Sequence, residues 1–146
     1  MTVHDNASVL CSALQANWQL SNPAASNILW KSTRVDSATF LQSSKSYAVG
    51  CYNPAGPTTV SVLSREAWQQ IERVMVDVYV KVSSTPADAT NIRETIKQEI
   101  YRIVHSQEFK IGPADAYVER ESNKVEGPDL VRITLQVVCV SFHVQQ

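Results

Sequence analysis

Cysteine and histidine are the side chains of this sequence best suited to bind metals or act as nucleophiles, and their spacing indicates neither role. The chain has three of each: Cys11, Cys51 and Cys139, and His4, His105 and His143. No two cysteines have the close spacing of a zinc site or a redox dithiol. Buried, reduced thiols are therefore expected, because a free cysteine packs as a small apolar side chain. His105 falls in the last turn of a predicted helix, where it suits the exposed carbonyl groups.

Other signals of catalysis are missing from the sequence as well. It contains no nucleophile motif and no His–Glu pair spaced to hold a metal. Only four glycines are scattered along the chain, so a phosphate-binding loop is not expected. The sequence thus predicts a protein that is not an enzyme and that has no catalytic residue, no metal site and no cofactor.

The size and charge of the chain limit the classes of protein to which it can belong. Its 146 residues fit one domain with a substantial core. The formal net charge of -1 argues against a basic surface that grips nucleic acid, so contact with DNA is expected to be transient. Apolar runs fall well short of the ~20 residues that a membrane helix needs, and residues 1–8 are polar. We expect a soluble, unexported chain with no membrane partner.

The strongest structural signal is a change of hydrophobic period in the middle of the chain. Within Glu72 to Val82 every second residue from Val74 is a valine, the period of a β-strand with one apolar face. Apolar residues then recur every three or four positions, which is helical spacing. This stripe consists of Ile92, Ile96, Ile100, Ile103 and Val104. Because Pro86 suits a first helical position, we predict a helix over residues 86–105 that packs on the valine face.

Weaker patterns complete the predicted fold. Residues 5–18 show helical spacing, and residues 19–46 are polar enough to predict an irregular segment. Residues 47–144 are predicted to form the sheet together with the long helix. Its further strands are expected at residues 46–52, 58–64, 114–121 and 130–144. The predicted fold class for residues 1–146 is a single α+β domain, with a mainly antiparallel sheet, one long helix packed on one face, and a short N-terminal helix.

The last predicted strand changes its apolar face midway. Val137 belongs to one apolar row, whereas Val138 begins a row on the opposite face that includes Phe142. A β-bulge near Val137 and Val138 explains the switch within one subunit, and burial of both faces by a neighbouring subunit explains it without a bulge. The same choice applies to Met75 and Tyr79, which lie opposite the valine row and belong either to a second internal layer or to a subunit contact.

Three segments together resemble the tail-terminator and tail-completion proteins of tailed phages and related viruses. They are residues 74–80 (VMVDVYV), 92–96 (IRETI) and 131–142 (VRITLQVVCVSF). The resemblance lies in the order of the elements and the character of the strands, and it covers about Ala48 to Val144.

The resemblance implies an α+β subunit that assembles into a ring, usually sixfold, at the head-proximal end of a tail tube. Such a ring stops tube growth and offers a surface to the head connector. The implied partners are other copies of the chain, a tail tube protein and a head-connector or neck protein, with DNA passing through the lumen. The implied location is the virion, after assembly in the host cytoplasm. The family has no catalytic residues to transfer to this sequence.

Other classes of protein remain alternatives. A head-closure protein or another neck adaptor has a similar build. A cellular small-ligand or enzyme domain would instead enclose converging polar residues in a pocket. A cellular adaptor would bind an extended peptide along an open sheet edge.

The elements expected to contact neighbouring subunits follow from the way rings form. Each contact in a ring joins one patch to a different patch on the neighbour, and sheet edges or projecting hairpins supply such patches. The preferred elements are a hairpin from Tyr47 to Val62, closed by a turn at Asn53–Pro57, and a hairpin from Tyr117 to Leu130. Tyrosines from both hairpins are plausible anchors. The candidate interface residues are Tyr52, Met75, Tyr79, Tyr117 and Phe142.

Overall fold

The computed structural model describes residues 6–54, 59–62, 67–83, 86–106, 114–125 and 129–144. Its elements, in chain order, are α1 (Asn6–Ala16), a 3-10 turn (Ala25–Asn27), β1 (Ile28–Lys31), α2 (Ser37–Gln42), β2 (Tyr47–Tyr52), β3 (Thr59–Val62), β4 (Ala67–Lys81), α3 (Pro86–Val104), β5 (Ala114–Val125) and β6 (Leu130–Val144). The predicted α+β class is confirmed, and the long helix begins at Pro86 as expected.

The sheet is built around β4, an inner strand of 15 residues that β6 equals in length. The strand order is β1-β2-β4-β6-β5, and β3 also pairs with β4. All these pairings are antiparallel except that of β1 with β2. One side of β4 pairs with β6 along all 15 of its residues, and the other side is shared by β2 and β3. Most positions of β4 therefore have a neighbouring strand on both sides.

Only one of the two predicted hairpins forms. β5 and β6 pair as expected for the hairpin from Tyr117 to Leu130. The hairpin from Tyr47 to Val62 is wrong, because β2 and β3 follow one another along the same side of β4. Cys51 lies opposite Val76 in this pairing. The cause is the length of β4, which offers room for two short strands in line. Residues 55–57 of the predicted turn lie outside the described part of the chain.

The main core lies between α3, α1 and one face of the sheet, which we call the inner face. The valines of β4 are fully buried there, and Ile96, Ile100 and Ile103 of α3 are at most 1% exposed. α1 contributes Leu10 and Leu14, which are also fully buried. The apolar stripe of α3 thus covers the valine face as predicted, because both patterns keep their apolar residues on one side.

Glu99 of α3 fastens the chain that follows α1. Its carboxylate accepts hydrogen bonds from Arg102 Nε at 2.7 Å and from the N–H of Gln19 at 2.6 Å. Arg102 also donates to the carbonyl of Asn17 at 2.9 Å. Burial favours the neutral form of Glu99, but the Arg102 guanidinium and the N–H groups outweigh burial, so the pKa of Glu99 is lowered.

Replacing Glu99 with glutamine is expected to destabilise the protein at neutral pH and to weaken its sensitivity to acid. A group whose pKa is lower in the folded state stabilises it above the unfolded pKa, here near 4.5, and this stabilisation is lost as pH falls. Denaturant midpoints measured at neutral pH and below about pH 4.5 check this. Glu119→Gln, in an exposed pair, is the control. Equal acid sensitivity of Glu99→Gln and the parent would contradict the assignment.

Residues 19–46, predicted to be irregular, contain two regular elements. β1 pairs in parallel with β2 at the edge of the sheet. α2 is capped by Asp36, whose carboxylate accepts a hydrogen bond from the N–H of Ala38 at 3.2 Å. The prediction is wrong for these elements because strands of four residues and helices of six are too short to show a hydrophobic period.

The opposite face of the sheet, which we call the outer face, is partly covered by the chain itself. Residues 32–45 lie over one end of it and form a second, smaller core. Its buried members are Val35, Phe40, Ala48, Tyr79 and Leu130. Tyr79 is 4% exposed, and its ring centre lies 6.1 Å from that of Phe40. Of the two interpretations of Tyr79, the structure therefore favours the internal layer.

The face switch in β6 needs no bulge in that strand. β6 pairs residue for residue with β4 over its full length, which excludes a bulge in β6, one of the two explanations left open by the sequence. The register shift lies in the neighbouring β5, between Val118 and Arg120. Val137 is 0% exposed and Val138 is 2% exposed, although they lie on opposite faces. The chain itself thus buries both faces of β6 at this point.

Gly50 marks the point where residues 33–35 cross the sheet. A Cβ atom at Gly50 would lie 2.6 Å from Cγ2 of Val35 and 2.9 Å from the carbonyl oxygen of Thr33. We expect Gly50→Ala to cost about 1–3 kcal/mol of unfolding free energy, because the backbone of Thr33 must move to relieve the overlap. Chemical denaturation measures this. A variant as stable as the parent would show that residues 33–35 are not held against the sheet.

Candidate interaction surface on the outer face of the sheet

The five candidate interface residues share the outer face of the sheet. β4 places Met75 and Tyr79 in one row, and Tyr52 of β2 lies opposite Met75. Tyr117 of β5 lies opposite Val138 of β6. Phe142 is opposite Gln69, which belongs to the same row as Met75, but its side chain lies outside the described part of the structure. The sequence pattern therefore selected positions on one surface, although they come from four strands.

This surface divides into two halves. The covered half is the end around Tyr79 that residues 32–45 bury. The open half consists of Tyr52, Ile71, Arg73, Met75, Tyr117, Glu119, Gln136 and Val138. In the open half Tyr117 is 48% exposed, Ile71 and Met75 are partly buried, and Val138 is only 2% exposed. Tyr79 is thus unavailable as a surface anchor, and the other described candidates are concentrated in the open half.

A pair of opposite charges lies within the open half. The Arg73 Nε atom donates to Oε2 of Glu119 at 3.3 Å, and the Gln136 amide donates to the same oxygen at 2.8 Å. An exposed pair of this kind contributes about 0–1 kcal/mol to stability, so its main effect is to position the three side chains. It also leaves the open half with no formal net charge.

Asp77 and Arg34 lie between the two halves, and sequence reasoning missed both. Asp77 is fully buried; its Oδ1 accepts a hydrogen bond from Thr134 at 2.6 Å, while its Oδ2 has no hydrogen-bond partner among the described residues. The Arg34 guanidinium carbon lies 5.4 Å from the Tyr52 ring centre. Burial, followed by the charge of Asp77, raises the pKa of Tyr52, and Arg34 opposes the increase. The sequence did offer one sign that Asp77 is unusual, because it places a carboxylate within a strand rich in valine.

The edge of the sheet at β5 is partly blocked. The N–H of Val118, next to the register shift, donates to Nε2 of His105 at 2.9 Å. The His105 ring also packs edge to face against Tyr101, at 5.3 Å between centres. His105 therefore binds β5, not the helix carbonyls that the sequence suggested. Backbone donors that are already occupied, and β-bulges, discourage the addition of another strand at an edge. The outer face of the sheet is therefore better suited to bind a partner than the β5 edge is.

The remaining chemical candidates form no site in the described ranges. The three cysteines are free and buried, as predicted. Burial raises the pKa of Cys139 to about 12, so its thiol stays neutral. Within residues 6–144, less the undescribed segments, no group of His, Cys, Asp or Glu side chains could hold a metal. No helix among the described residues has the length and apolar character to cross a membrane.

Comparison of the chain with protein-family models gives no match, and comparison with curated proteins gives none either. The geometry of the outer face is therefore the main basis for assigning a function.

Proposed function

We propose that this chain is a structural virion protein whose copies assemble into a ring through the outer face of the sheet. The ring acts as a tail terminator, which stops growth of the tail tube and joins the tail to the head connector. The observation that supports assembly is the open half, an incompletely covered sheet face beside one that the chain covers itself. The terminator role rests on the resemblance of residues 48–144 to that family.

A second copy of the chain is the partner that the charges of the open half favour. Arg73 and Glu119 pair with each other, so this surface offers little attraction to a strongly charged partner. The chain carries a net charge of only -1, so copies repel one another weakly. Tyr117 supplies an aromatic side chain of the type that dominates protein interfaces.

A ring requires a second, different patch on each subunit, and α2 provides a candidate. Among the described residues, the exposed large apolar side chains are Tyr117 and Leu41 of α2, the latter 42% exposed. Tyr117 lies near Arg73, whereas α2 lies over Tyr79, about 20 Å further along β4 at the usual rise per residue. A contact between Tyr117 of one subunit and Leu41 of the next joins two different patches, as each contact in a ring does.

The mass of the assembled species tests the ring. Native mass spectrometry and sedimentation velocity of the purified chain are expected to show a closed species of about six copies, the usual number in the family that it resembles. An open series of masses without closure, or a monomer at every concentration, would contradict the ring.

The terminator role needs a further measurement. Added to polymerising tail tube protein, the chain is expected to bind one end of each tube and shorten the tubes, as seen by electron microscopy.

A further inference from the structure

An open cleft of about 370 Å³ lies beside α2, between residues 34–37 and the strands beneath them. Its walls are Arg34, Val35, Asp36, Ser37, Tyr79 and Arg132. The proposed ring contacts use neither this cleft nor its side chains. Its volume is at the lower end of the range for small-molecule sites.

Three polar groups of the cleft have donor hydrogens that the described part of the chain leaves unused. The Arg34 guanidinium makes no ion pair or hydrogen bond with any described residue, and its central carbon lies over the Tyr52 ring, 5.4 Å from the ring centre. The hydroxyls of Ser37 and Tyr79 likewise have no hydrogen-bond partner among the described residues. Tyr79 is 4% exposed, so its unused hydroxyl belongs to a nearly buried side chain. The hydroxyl itself stays accessible from the cleft, so a ligand that accepts hydrogen bonds can reach it.

Each carboxylate near the cleft already accepts at least one hydrogen bond. Asp36 accepts from the N–H of Ala38 at 3.2 Å and from the hydroxyl of Thr39 at 2.8 Å, so it serves the start of α2. Asp77 is buried and accepts from Thr134. These two negative charges balance those of Arg34 and Arg132. A ligand is therefore selected by the unused donors and by shape, not by a strong net field.

We propose that the cleft binds a small carboxylic acid with an apolar body. The carboxylate lies against the Arg34 guanidinium, which can present two parallel N–H donors to its two oxygens. The hydroxyls of Ser37 and Tyr79 supply further donors, while Val35 and the Tyr79 ring line the apolar part. A single negative charge suits the balanced charges of the site better than a phosphate dianion does.

Benzoate is the test ligand, with benzamide as its neutral counterpart and inorganic phosphate as a second anion. Amide shifts of the isotope-labelled chain are recorded during each titration. Benzoate is expected to shift the amides of residues 34–37 in a saturable manner, and benzamide and phosphate are expected to bind at least about tenfold more weakly. Absence of a saturable shift with benzoate, or equal binding of benzamide, would overturn the proposal. Tighter binding of phosphate would overturn the choice of a carboxylate.

Substitutions in the cleft test which side chains bind benzoate. Arg34→Gln is expected to weaken benzoate binding by about tenfold or more, and Tyr79→Phe by a smaller factor because it removes one neutral donor. Lys31→Gln removes the same charge as Arg34→Gln from an exposed position of β1 and is expected to keep the affinity. Equal losses in the Arg34 and Lys31 variants would mean non-specific attraction and would overturn the site. Because the ring uses Tyr117 and Leu41, the two proposals fail independently.

Discussion

Replacing Tyr117 with glutamate is expected to leave the subunit folded and to prevent ring assembly. Tyr117 is 48% exposed on β5, so its loss should change the unfolding free energy of the subunit by no more than about 0.5 kcal/mol. In the ring, the same change places an unpaired carboxylate at the centre of an apolar contact, where burial of a charge is strongly unfavourable. Sedimentation velocity should therefore show monomer, and thermal unfolding should show a normally folded chain.

Two further variants make this test specific. Gln98→Glu adds the same charge on an exposed position of α3, and it is expected to retain the ring. Leu41→Glu alters the proposed opposing patch, and it is expected to be monomeric like Tyr117→Glu. A mixture of the Tyr117 and Leu41 variants then retains one intact patch of each kind, so dimers with one copy of each variant should form, without a closed ring. Ring formation by Tyr117→Glu, or identical behaviour of all three variants, would contradict the proposed contact.

Replacing Ile100 with alanine is expected to cause the largest loss of stability among the single changes considered. Ile100 is 0% exposed, on the stripe of α3 that covers the valines of β4. Truncation removes apolar contacts and leaves a cavity that the surrounding sheet cannot close, which costs about 2–5 kcal/mol. Urea or guanidinium denaturation should show a lower midpoint with an unchanged slope.

Ile92→Ala in the same helix is the matched control. It makes the same chemical change at a position that is only partly buried, so a smaller loss is expected. Equal losses at the two positions would indicate that packing on the valine face does not determine the effect, since alanine favours the helix more than isoleucine does. No loss at Ile100 would contradict the position of α3 over the sheet.

The sequence by itself determined the inner half of this molecule. Alternating valines in β4 and isoleucines at helical spacing in α3 each define one apolar side, and only their contact buries both. Pro86 indicated the start of the helix, and the apolar segments around residues 114–144 indicated the last two strands. These predictions succeeded because the elements are long enough to show a period and because each needs only its own sequence to define its apolar side.

The tertiary structure alone decided the outer half. Periodicity identifies a strand but not its neighbour, so the placement of β2 and β3 in line along β4 required the folded chain. The layer formed by Val35 and Phe40 comes from a segment without a detectable period, and it determines why Tyr79 is buried while Tyr117 is exposed. Arg34 and Ser37 meet Tyr79 at the cleft only because this segment crosses the sheet at Gly50. Such contacts depend on residues far apart in the chain, and no local pattern of side chains encodes which distant segment will cover which face.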